Sequence, residues 1–123
     1  MSNETTTSAQ QNAQTPLPNL ETFVDRLQAI AERYERVHGI DRRGDWHLLK
    51  VQEELGELTQ SYLAMTGRSR RASAAARDDV ALEMADVLCM LLLMARAEGI
   101  DLNAAITAKW LKWETVSAKE TAE

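Results

Sequence analysis

Two pairs of acidic residues, each pair spaced three positions apart, are the part of this sequence best placed to do chemistry: Glu54 and Glu57 in KVQEELGEL, and Glu83 and Asp86 in VALEMADVLCM. An α-helix turns once in about 3.6 residues, so each pair projects from one helical face. The second pair sits among residues that are almost all apolar, and no Lys or Arg lies within a turn of Asp86. An ionised carboxylate in dry surroundings costs several kcal/mol unless something compensates it, and like charges held close together raise that cost. The compensation has to come from across the fold or from a bound cation. Two such pairs on neighbouring antiparallel helices converge into a pocket of four carboxylates, a hard oxygen site that suits Mg²⁺ or Mn²⁺. These ions keep several waters and complete their coordination with phosphates.

The other acidic residues have plainer readings. Asp78 and Asp79 are acids of the kind favoured in the first turn of a helix. Glu53 fits a solvated ion pair with Lys50 as well as it fits a place at the site.

Helices are the elements that must position these groups. The chain has only five Gly and two Pro in 123 residues, too few for the turns of a sandwich or barrel. Residues 1–19 are rich in Ser, Thr, Asn and Gln and read as a disordered tail. A helical domain is expected over residues 20–117, with a frayed end over 118–123. Apolar residues at three- and four-residue steps predict a first helix over 20–38, stopped by Gly39, and a second over 45–66, capped by Asp45 and stopped by Gly67. The apolar stripe of the second is Leu48, Val51, Leu55, Leu58, Tyr62 and Met65. A third helix begins between Ser73 and Asp79 and ends near Glu98. Asp101 caps a fourth, which continues through DLNAAITAKWLKWETV. The third helix is apolar on nearly every side between Val80 and Ala97, so it has to be surrounded. Three other short helices can hardly enclose it, which predicts a homodimer or homotetramer.

The composition excludes some partners and places. A net charge of −5 argues against a nucleic acid polymer as partner. The longest apolar run, VLCMLLLMA, is nine residues, too short to cross a bilayer. Residues 1–19 have neither the basic start nor the apolar stretch of a secretion signal. The lone Cys89 lies within the apolar run and reads as a reduced core residue, in keeping with a cytoplasmic protein.

The acidic motifs also carry a family resemblance. Glu53-Glu54-Leu55-Gly56-Glu57, then 25 intervening residues, then Glu83-Met84-Ala85-Asp86 resembles the EExxE and ExxD signature of the MazG-like all-α nucleoside triphosphate pyrophosphohydrolases. The likeness extends through Gly99-Ile100-Asp101-Leu102 and Lys109 and covers most of residues 50–112. It implies an all-α, four-helix MazG-like bundle completed by oligomerisation. It also implies a nucleoside triphosphate cut between its α- and β-phosphates, with Mg²⁺ held by Glu54, Glu57, Glu83 and Asp86. Mn²⁺ is a possible substitute for that ion. A carboxylate not fully engaged by metal can accept the proton of the attacking water, and Glu53 is the candidate.

Lys109 and Lys112 can reach phosphate oxygens or simply lie near a helix C-terminus. Trp110 and Trp113 can stack on a base or pack at a subunit interface. Related proteins often carry Asn where this chain has Trp113, which bears on the sugar and base contacts. Arg68, Arg70, Arg71 and Arg77 can close over phosphates from the connecting loop, but they read first as a solvated basic loop. The Glu-x-x-His spacing of a di-iron bundle occurs only at Glu35 and His38, outside the acidic pairs. A reading of another class is a non-catalytic helical interaction module with the same fold.

Overall fold

The computed structural model describes residues 19–70 and 75–115. All of the expected tail over 1–19 except Asn19, residues 71–74 with Arg71 of the basic loop, and the chain from residue 116 onward lie outside the described residues. Among the described residues there are four α-helices: α1 (Leu20–His38), α2 (Trp46–Met65), α3 (Ala76–Ala97) and α4 (Leu102–Lys109). A 3₁₀ turn, Leu111–Thr115, follows, and no strand occurs among the described residues.

Local chemistry explains most of the boundaries. At the start of α1 the Asn19 side chain accepts the backbone N–H of Glu21 at 3.1 Å, satisfying a donor that has no partner within the helix. The helix ends where Gly39 takes a left-handed φ of 63°, a conformation that costs glycine little. Asp78 and Asp79 lie in the first turn of α3, as expected, and Arg96 in its last turn complements the helix dipole. Asp101 caps α4 by accepting the N–H of Ala104 at 3.1 Å.

Two expected boundaries need correction. Asp45 stands at the N-cap position of α2, but its φ of −81° and ψ of 5° are not those of a capping residue, and its side chain makes no cap hydrogen bond. The fourth helix is shorter than its apolar pattern suggests. It ends at Lys109, and Trp113 then donates to the Trp110 carbonyl at 3.1 Å, the tighter three-residue step.

α2 and α3 form an antiparallel pair. Glu54 and Glu57 meet Glu83, while His47 near the start of α2 feels the charge of Glu98 just beyond α3. α1 is strapped to the C-terminal half of α3. Arg96 donates to Asp25 Oδ1 at 2.6 Å and to Glu21 Oε2 at 2.7 Å, beside buried Val24, Leu92, Leu93 and Ala95.

The core is thin, and no large side chain among the described residues is fully buried. The apolar stripe of α2 divides into two rows with a seven-residue spacing. Val51, Leu58 and Met65 are half-buried, whereas Leu48, Leu55 and Tyr62 are exposed. On α3, Leu82, Met84, Leu88 and Leu91 are likewise exposed in the single chain. No helix among the described residues is long and apolar enough to cross a membrane.

Candidate metal centre

α2 supplies Glu54 and Glu57 one turn apart, and the antiparallel partner α3 brings Glu83 against them. One carboxylate oxygen from each lies within 4.8 Å of the other two. Helix geometry fixes this arrangement, because the i, i+3 spacing puts both α2 acids on the side facing α3.

Glu54 is only 8% exposed, and its Oε2 has no hydrogen-bond partner. Glu83 Oε2 is buried and equally unpartnered. Two carboxylate oxygens withdrawn from water with nothing donating to them are the costly situation that a cation relieves. Desolvation pushes the Glu54 carboxyl above its ordinary pKa, and the charges of Glu57 and Asp86 add to the shift while Lys50 opposes it. Glu83 is raised by desolvation first, then by Glu57 and Asp86. The donor set is all oxygen and all acidic, which fits a hard divalent ion and not a soft one.

The other expected site residues are distributed unevenly. Asp86 is exposed, and its charge acts on both Glu54 and Glu83, but its oxygens are not part of the close set. Glu53 is exposed and accepts from Lys50 Nζ at 3.2 Å. Lys109, Trp110, Lys112 and Trp113 are all exposed, and the Lys112 ammonium sits 5.1 Å from the Trp113 ring centre. Arg68 donates to Thr66 Oγ1 at 3.1 Å and stands over the Tyr62 ring at 5.7 Å, while Arg70 and Arg77 are exposed. Glu35 pairs with Arg42 at 3.0 Å and His38 packs on Tyr34, so their Glu-x-x-His spacing takes no part in the acidic group.

Two features of this region go beyond the sequence reading. Lys50 reaches Glu54 Oε1 at 3.8 Å as well as Glu53, an i, i+4 contact along α2. A groove of about 370 Å³ runs between α1, α2 and α3, with Leu27, Ala31, Tyr34, Trp46, Met90 and Leu93 in its walls. Glu54 and Lys50 line it too, so the groove and the acidic group share a border. Cys89 also lines the groove and is half-buried; desolvation, then Asp86, push its thiol pKa up.

Comparisons with protein-family models, with curated proteins and with solved structures return no match.

Proposed function

We propose that this protein is a Mg²⁺-dependent nucleoside triphosphate pyrophosphohydrolase of the MazG-like kind, acting in nucleotide-pool housekeeping in the cytoplasm. Water attacks the α-phosphorus, the bond from that phosphorus to the α–β bridging oxygen breaks, and the products are a nucleoside monophosphate and pyrophosphate. The observation that carries the reading is the convergence of Glu54, Glu57 and Glu83, with two buried oxygens unpartnered, beside an apolar groove.

Glu54, Glu57 and Glu83, with Asp86 next to them, would hold the ion, for which Mn²⁺ is a fitting substitute. When bound, a divalent ion neutralises carboxylates and triphosphate together and polarises the phosphorus under attack. The chain's own residues do the rest. Two packed helices fix the acids, so little reorganisation is needed when substrate arrives. The groove takes the part of the nucleotide beyond the phosphates and shields that end of the site from water. Glu53, exposed beside Lys50 on α2, accepts the water's proton.

A homodimer or homotetramer completes the bundle by covering the exposed rows of α2 and α3. α4 leaves from the end of α3, about four turns beyond Glu83. Lys109, Trp110, Lys112 and Trp113 are therefore proposed to meet the substrate of a neighbouring copy.

The test is to incubate canonical and damaged nucleoside triphosphates with Mg²⁺ and score pyrophosphate and orthophosphate separately. The expected product is pyrophosphate with the matching monophosphate; orthophosphate alone would exclude cleavage at the α-phosphorus. The second reading, a non-catalytic interaction module, is supported by the exposed Leu48, Leu55 and Tyr62 row. It predicts no turnover and no response of thermal stability to Mg²⁺.

A further inference from the structure

Lys50 occupies a distinctive place between the acidic group and the groove. It stands one turn before Glu54 on α2, with its ammonium 3.8 Å from Glu54 Oε1 and 3.2 Å from Glu53 Oε1. Its side chain is 30% exposed against 11% for that of Glu54, so the lysine sits at the rim and the carboxylate lies deeper. The contact is lopsided, because Glu54 Oε2 remains unpartnered although Oε1 has the lysine. At 3.8 Å the ammonium offsets charge without making a hydrogen bond of ordinary length. Lys50 also lines the groove, where a flexible four-carbon stem lets its ammonium move without disturbing α2.

We propose that Lys50 is a tethered counter-ion, which partly neutralises Glu54 in the metal-free protein, yields it to an incoming divalent cation, and then turns its ammonium to the anionic polyphosphate. This deepens the hydrolase reading and rests on its metal site. One positive charge serves two partners in succession. A divalent ion outbids a loosely held ammonium for Glu54, and the released ammonium finds phosphate oxygens within its reach. Lys50 is thus a positioning residue for the metal site and a binding residue for the phosphates.

The two roles predict shifts in opposite directions, which a merely structural lysine would not produce. Lys50→Met keeps the length of the stem and removes the charge; Lys50→Arg keeps the charge. The probes are Mn²⁺ alone, followed by its paramagnetic resonance signal, and inorganic tripolyphosphate added to the Mn²⁺-loaded protein, followed by calorimetry. Circular dichroism verifies that each variant folds.

Removing a partly exposed charge partner should tighten Mn²⁺ binding by about two- to fivefold in Lys50→Met, with a comparable loss of tripolyphosphate affinity. Lys50→Arg should stay near the wild type on both. Unchanged or weaker Mn²⁺ binding by folded Lys50→Met overturns the proposal and leaves the hydrolase reading standing. Tighter Mn²⁺ with unaltered tripolyphosphate also overturns it, since the lysine would then never turn to phosphate. If the wild type binds no Mn²⁺, the metal-site reading falls and takes the proposal with it. If both shifts appear while no nucleoside triphosphate is cleaved, the lysine exchange stands and the hydrolase reading fails.

Discussion

This molecule holds two groups of carboxylates in contrasting ways. Glu21 and Asp25 on α1 are exposed, and both are bound by the guanidinium of Arg96 at 2.6–2.7 Å. Glu54 is buried and Glu83 half-buried beside exposed Glu57; Lys50 reaches only Glu54 of the three, and one buried oxygen each of Glu54 and Glu83 has no hydrogen-bond partner. The first arrangement is an ordinary strap between helices, complete as it stands. The second is incomplete, and its incompleteness is what points to a cation. Whether acids receive an arginine or are left crowded with each other thus separates a structural role from a binding one.

Substitution should separate the two groups most sharply. Glu54→Gln or Asp86→Asn should lower turnover by at least about a hundredfold, whereas Arg96→Ala should change it by less than about twofold. The metal-free Asp86→Asn protein should be as stable as the wild type or more so, because one of a set of repelling charges has gone. Initial rates with thermal melts in the absence of metal check both statements. An Asp86→Asn protein that stays active, or that collapses without metal, breaks the comparison.

A smaller effect should appear with Mg²⁺ itself. An ion that binds only the folded state at a hundred times its Kd contributes about 2.7 kcal/mol, enough to raise the Tm by several degrees. Arg96→Ala should keep that response from a lower starting Tm, and Glu54→Gln should lose most of it. Differential scanning calorimetry with and without Mg²⁺ reads both.

The smallest effect is the pH dependence of the metal-free protein. Glu54 and Glu83 have folded-state pKa values raised above their ordinary 4.5, so the folded protein holds protons that the unfolded chain has already released. Their stabilising contribution is therefore fully present below 4.5 and is lost as pH rises through the raised values. Denaturant melts across that range should show Glu54→Gln losing part of this slope, whereas Arg96→Ala should retain it.

Much of this contrast was legible in the sequence, for a geometric reason. Helical spacing alone places Glu54 with Glu57, and an antiparallel partner then brings Glu83 to them. Helix ends were readable where a glycine or a capping acid enforces them, as at Gly39 and Asp101, whereas the Asn19 cap lay within the stretch read as tail. Asp45 misled because its residue type fits a cap but its backbone does not. The limit of α4 was hidden because α and 3₁₀ turns differ by a single hydrogen-bond step, which apolar periodicity does not sense. Periodicity was equally blind to which row of α2 faces outward, since Leu48, Leu55 and Tyr62 are as apolar as Val51, Leu58 and Met65. The groove needed three helices packed together before Tyr34, Trp46 and Met90 could be seen to share a wall with Glu54. Asp86, grouped with Glu83 by spacing, proved to be a neighbour of the close set and not a member.

Anomalous scattering from a crystal of the protein grown with Mn²⁺ decides whether these acids hold a cation. A strong peak is expected among the carboxylates of Glu54, Glu57 and Glu83, with oxygens at metal-ligand distance. An empty position there, with those acids dispersed or matched to basic side chains, would contradict the metal-site reading.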